Sequence, residues 1–170
     1  LYFDYIIIGS GLYGLTLAER ITTETDKSVM ILEQRNYIGE EFQISGLYNN
    51  KDPKNRQLIN DNHIFLTNME HVWRYLENFS DWKKINIKGS FYKYVAVPEL
   101  GYAHMFKNML GTKTKVMLNV DNFQILKEIS YKKIIYSQKQ DCYFHHKLGG
   151  IHYSIDKSVD TALKYFYREL

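Results

Sequence analysis

Six consecutive positions, Gly9-Ser10-Gly11-Leu12-Tyr13-Gly14, set three glycines at the spacing G-x-G-x-x-G. That spacing suits one kind of chemistry, the holding of a pyrophosphate on main-chain N–H groups. The first glycine permits a tight turn, and the second lets the backbone approach the phosphates with no Cβ in the way. The third lets the following helix pack closely on the preceding strand. The phosphates then meet the positive end of a helix dipole and its unpaired N–H groups. Glu33 follows about 20 residues later, where an acid accepts ribose hydroxyls. An acid at that place also repels the extra phosphate of NADP. A glycine turn that holds no ligand is the alternative left open by spacing alone.

The flanking residues supply the elements such a site needs. Residues 4–8 (DYIII) are an apolar run that stops at Gly9, as a strand buried on both faces should. Leu15, Ala18 and Ile21 recur at helical spacing, and residues 28–33 (SVMILE) read as a second buried strand. Residues 5–35 therefore predict a βαβ unit. Residues 48–56 (YNNKDPKNR) predict an exposed loop. Thr67 and Glu70 predict a capping box, ahead of a helix whose face is Val72, Trp73, Leu76 and Phe79. Trp73 is assigned to the core on that face rather than to a stacking platform.

Residues 84–87 and 88–94 predict a hairpin around Gly89. Its alternating Tyr and Lys could stack on single-stranded nucleic acid, but an amphipathic edge strand is the assignment made. Tyr102, Phe106, Met109 and Leu110 predict a helix closed by Gly111 at C′. Val116, Leu118 and Val120 alternate as a strand, residues 132–137 form another, and 158–170 predict an amphipathic helix that packs on the domain or on a partner. His145, His146 and His152 predict no metal site. Adjacent strand histidines face opposite ways, and no cysteine or carboxylate completes a ligand set.

The fold expected is α/β, a Rossmann-like FAD/NAD(P)-binding parallel sheet with flanking helices and a small antiparallel hairpin layer. The 170 residues are read as one reduced domain: a dinucleotide unit over 1–47, the loop over 48–56 and the remainder over 57–170. Hydrophobic residues make up 45% and aromatics 15%, enough for a core. A net charge of +3, dispersed along the chain, argues against nucleic acid. No apolar run reaches the roughly 20 residues of a membrane span, and the N-terminal stretch lacks the features of a signal peptide. The lone Cys142 points to a reducing, cytoplasmic setting.

Longer motifs resemble the UDP-galactopyranose mutase family, flavoenzymes that interconvert the pyranose and furanose forms of UDP-galactose. Glu33-Gln34-Arg35-Asn36-Tyr37-Ile38-Gly39 is similar to the family's E-x-R-x-x-I-G-G-N. His63-Ile64-Phe65-Leu66-Thr67-Asn68 is similar to its G-x-H-I-F-H-T-N, followed by the helix carrying Trp73. Val97-Pro98-Glu99-Leu100-Gly101-Tyr102 resembles P-x-G-G-Y, and Ile134-Ile135-Tyr136-Ser137 through Tyr153 resembles I-I-Y-T-G…D-x-Y-F…G-A-L-E-Y-R. The resemblance spans nearly the whole chain in order. It implies FAD as the dinucleotide. Cofactor contacts would fall at Gly9, Ser10, Gly11, Gly14, Glu33, Arg35 and Gly39, with a backbone contact to adenine at Val116. His63 is either a flavin-side residue or a structural histidine near a helix start.

The departures bear on activity. Between Tyr94 and Val95 the family carries a helical substrate domain that this chain lacks, and the resemblance stops before the family's last flavin-contacting segment. Ring-side glycines of the family are replaced by Glu40, Asp61, Leu100 and Gln138, and the second histidine of H-I-F-H by Leu66. The arginine that clamps the substrate diphosphate is Ser154, which cannot make a bidentate charge-assisted contact. The expectation is a mutase-like FAD-binding protein with no catalytic residues of its own. The competing expectation is a structural or interaction module, flavin-free, with a protein partner or a second copy of itself.

Overall fold

Strand β1 (Tyr2–Ile8) is hydrogen-bonded on both sides, as the apolar run from Tyr5 to Ile8 requires. A computed structural model describes residues 1–39, 64–87 and 90–137. The expected loop at 48–56, the turn at Gly89, the histidines 63, 145, 146 and 152, the lone Cys142 and the helix over 158–170 lie outside the described residues, as do Glu40, Asp61, Gln138 and Ser154.

After β1, helix α1 (Leu12–Glu24) returns the chain to β2 (Val29–Leu32), which pairs in parallel with β1 from Tyr5↔Val29 to Ile8↔Leu32. The remaining elements are β3 (Phe65–Thr67), α2 (Glu70–Glu77), β4 (Trp82–Lys84), β5 (Tyr94–Pro98), α3 (Tyr102–Met109), β6 (Thr114–Met117), α4 (Asn122–Ile125) and β7 (Ser130–Tyr136). They form two sheets. One is parallel, in the order β6-β2-β1-β7, and the other is antiparallel, in the order β3-β5-β4. The fold is thus Rossmann-like α/β with a small antiparallel layer, as expected from the sequence.

Alternation along the strands sorts the core onto both faces of the parallel sheet. Ile7, Val29 and Ile31 face Leu15 of α1 and Phe106 and Met109 of α3. Ile6, Ile8, Met30 and Leu32 face the other way, under Val120, Ile125 and Leu126 of the α4 segment. Several boundaries differ from expectation. No capping box forms at α2: Met69 is its N-cap and Thr67 Oγ1 accepts from the Met69 N–H at 3.0 Å. Glu70 turns instead to Lys93, Tyr94 and Arg74, whose hydrogen bonds pull its carboxyl down to about 2. The hairpin strand expected at 88–94 begins only at Tyr94, because residues 90–93 form no strand and the Ser90 N–H donates to the Ile87 carbonyl at 3.0 Å. Strand β6 stops at Met117, since Asn119 takes a left-handed φ of +57° that no strand continues. Gly111 does follow α3 at C′, though without a left-handed φ.

Helix α2 ties the two sheets together. Trp73, 5% exposed, stacks on Tyr94 at 4.7 Å and 9°, in the core as expected. Two positions on, Tyr75 reaches the opposite way, and its hydroxyl donates to Glu19 Oε2 of α1 at 2.7 Å. Glu19 is buried and also accepts from Arg20 Nε at 2.6 Å, Arg20 Nη2 at 2.7 Å and Thr23 Oγ1 at 2.9 Å. Burial pushes its carboxyl upward, but the bonds from Arg20, Tyr75 and Thr23 outweigh that and hold it below the usual range.

Tyr75→Phe and Glu19→Gln should each lower the free energy of unfolding by about 1 to 3 kcal/mol, the usual worth of a buried hydrogen bond to a charged group. A depressed folded pKa stabilises above the unfolded value and stops doing so as pH falls through the folded one. The wild-type advantage over E19Q should therefore be full at pH 7 and begin to close near about pH 4.3. Urea titrations across pH measure both.

Candidate functional site

The loop between β1 and α1 has the geometry its three glycines call for. Gly9 holds a φ of +102°, and its N–H donates to the Leu32 carbonyl at 2.9 Å, so the chain turns at the carboxyl end of the sheet. A Cβ on Gly14 would fall 2.2 Å from the Gly9 carbonyl oxygen and 3.3 Å from Ile7 Cγ2, a helix–strand approach only glycine allows. A Cβ on Gly11 would meet nothing within 4 Å. Gly11 is the N-cap of α1, has an ordinary extended backbone, and is followed by no acid in the first turn. The first bond of α1 runs from the Leu15 N–H to the Gly11 carbonyl at 3.0 Å, so the main-chain N–H groups of the first turn lie ahead of it. Open space, an acid-free helix start and close packing behind fit a pyrophosphate.

Glu33 sits at the tip of β2, 6% exposed, and leans over the loop. Its Oε2 accepts from the Ser10 N–H at 2.9 Å and the Ser10 hydroxyl at 2.7 Å, while Oε1 accepts from the Arg35 N–H at 3.0 Å. Ser10 is fully buried beneath it. Arg35 is exposed, and its carbonyl accepts from the Asn119 N–H at 2.7 Å. Gly39 closes the turn: its N–H donates to the Ser10 carbonyl at 3.0 Å, its φ is +71°, and a Cβ would strike the Phe106 ring at 2.1 Å.

Val116 lies on β6, paired with Ile31. The Lys113 and Met117 carbonyls accept from Val29 and Glu33 of β2, so by alternation the Val116 N–H and carbonyl face the sheet's outer edge. Among the described residues no strand pairs with that edge. Gly9, Ser10, Gly11, Gly14, Glu33, Arg35 and Gly39 come together in one turn system, and Val116 stands one strand away. Leu100, where the family pattern has glycine, is 68% exposed. The following Gly101 has a φ of +81° and nothing around its Cβ position.

Three contributors escaped the sequence reading. Asn119 carries the left-handed turn that meets Arg35, and an asparagine among apolar residues at a strand end is its signal. Ser137 Oγ donates to the Ile8 carbonyl at 2.6 Å and fixes the end of β7 beside the loop. Phe106, on α3, fills the space that forces glycine at position 39. No local pattern announces the last two. The loop stands where β1 lies between β2 and β7, the switch point at which open α/β sheets bind ligands.

Residues 7–79 match a family described as an NAD(P)-binding Rossmann-like domain. Fold, glycine loop and match together define a dinucleotide-binding Rossmann-like protein. Residues 76–168, more than half the chain, match the family described as UDP-galactopyranose mutase. The chain belongs to the UDP-galactopyranose mutase family. Among solved structures it is similar to THI4 of Thermovibrio ammonificans, at a TM-score of 0.47 and 14% identity over 68% of this chain and 37% of that one. A Rab GDI from Plasmodium falciparum gives 0.31 and 16% over 55% and 27%. The chain thus spans well under two thirds of either protein. Among the described residues no helix is long and apolar enough to cross a membrane.

Gly11→Ala should cost no more than about 1 kcal/mol, the loss of a glycine N-cap, and abolish stabilisation by added ADP. Gly14→Ala should cost about 1 to 3 kcal/mol by overpacking. Thermal melts of both variants with and without ADP test this contrast.

Proposed function

We propose that this chain binds FAD through the nucleotide's diphosphate and adenosine half, and that it does not itself interconvert UDP-galactopyranose and UDP-galactofuranose. The carrying observation is the contrast within the glycine loop, with Gly11 open to a ligand and Gly14 sealed against β1. The pyrophosphate would lie on the first turn of α1, the ribose at Glu33 and the adenine along the Val116 edge. When bound, flavin would supply the nucleophilic nitrogen on which the family's ring interconversion relies. What this chain's residues supply is binding and orientation of the nucleotide.

The absence of mutase turnover is supported by a separate feature. Strand β5 begins at Tyr94 and passes directly to Val95, paired Thr67↔Tyr94 and Leu66↔Val95, where the family carries its helical substrate domain. Ser154 in place of the diphosphate arginine points the same way. The same unbroken strand favours the second reading, a module that keeps the fold for protein contacts alone.

Purified protein should show flavin absorption, or gain thermal stability from added FAD. If neither occurs, the interaction-module reading takes its place. With dithionite-reduced protein and excess FAD, conversion of UDP-galactofuranose should not exceed a no-protein control. Losing even one transition-state contact commonly costs about a hundredfold or more in rate, and here positioning is lost as well. Turnover above that control would overturn this half of the reading.

A further inference from the structure

We infer that Glu33 reads only one of the two ribose hydroxyls, because Ser10 holds the acceptor positions that a second would need. The inference rests on the proposed binding of a nucleotide with its ribose at the tip of β2.

A carboxylate offers about four lone-pair positions, two on each oxygen. Oε2 of Glu33 accepts two donors from Ser10, the N–H at 2.9 Å and the hydroxyl at 2.7 Å, and is filled. Among the described residues Oε1 accepts only the Arg35 N–H at 3.0 Å, which leaves one position. A ribose diol brings two O–H donors. One can land on Oε1. The second would have to displace the Ser10 hydroxyl, which is fully buried and among the described residues donates only to Glu33. Swinging the carboxylate outward gives no escape, since Glu33 is 6% exposed and would break all three bonds at once. Ser10 also cannot accept the second hydroxyl itself, because it has no surface to offer a ligand. Ser10 is therefore a specificity-determining residue. It stiffens the loop and restricts Glu33 to single-point recognition of the sugar.

The test is calorimetric titration of the full chain with ADP, 2′-deoxy-ADP and 3′-deoxy-ADP. For the wild type, one monodeoxy analogue should bind about tenfold more weakly than ADP and the other within about twofold, since one charge-assisted bond is at stake. Ser10→Ala removes one of the two bonds that fix Oε2 and lets the carboxylate turn a second acceptor position toward the sugar, so both analogues should then bind more weakly than ADP. Glu33→Gln should lessen the discrimination that the wild type shows. Equal losses for both analogues in the wild type would mean that Glu33 clasps the whole diol and would overturn the inference. So would an analogue profile that S10A leaves unchanged. The wild-type comparison stands without any variant, should S10A fold poorly. If ADP itself does not bind, the underlying nucleotide-binding reading falls and takes the inference with it. If ADP binds without the predicted asymmetry, only the inference falls.

Discussion

Helix α1 lies so close to β1 that no side chain fits between them at Gly14, where a Cβ would come within 2.2 Å of the Gly9 carbonyl oxygen. Much of the site follows from that approach. It sets the helix N-terminus directly beyond the strand end, so the connecting loop is short and Ser10 is enclosed within it. Enclosure turns both Ser10 donors onto Glu33, and Glu33 in turn gathers the Arg35 N–H. The Arg35 carbonyl accepts from Asn119, carrying the chain of contacts to the end of edge strand β6. A single close approach thus propagates across three strands through hydrogen bonds of ordinary length.

Helix α2 plays the complementary part by joining the small sheet to α1. With only 8 residues, it supplies Trp73 to the aromatic stack on β5 and Tyr75 to the buried carboxylate of α1. Helices this short are marginal in isolation, so α2 is held by what it touches. Glu70 adds a third tie by receiving Lys93 and Tyr94. The small sheet and the nucleotide-binding layer therefore share one connecting helix whose side chains diverge to both.

The βαβ unit was legible in the sequence because several signals agreed there: a strand apolar on both faces, glycines where the backbone must turn, and helical spacing straight afterwards. Trp73 was legible for a similar reason, its place on an apolar face. The misreadings fall where a local signal competed with a distant partner. Thr67 and Glu70 have the spacing of a capping box, yet Glu70 finds donors in Lys93 and Tyr94, which no window around residue 70 contains. The alternation of Val116, Leu118 and Val120 promised a longer strand, and Asn119 ended it by bonding to Arg35. Gly39 was assigned from the family pattern alone. Its physical necessity lies in Phe106, a residue far along the chain whose ring occupies the space a Cβ would need.

The unbroken course of β5 has a consequence for how this architecture can be assembled. Residues 94 and 95 are joined by one peptide bond at the start of the central strand of the small sheet, where both pair with β3 while the β4 ladder begins at Ala96. A module spliced at that bond would return the chain to the ladder beside the first residue of β5, so its own two ends must lie side by side. Exposed sites with neighbouring ends are where domain insertions are ordinarily tolerated; here the seam is at the end of a central strand. Excising such a module therefore needs no change of register in β3, β4 or β5, and the healed strand is pinned at once by the Trp73–Tyr94 stack. The Rossmann-like scaffold and a module spliced at β5 would in that sense be separable parts, joined by a seam one bond wide.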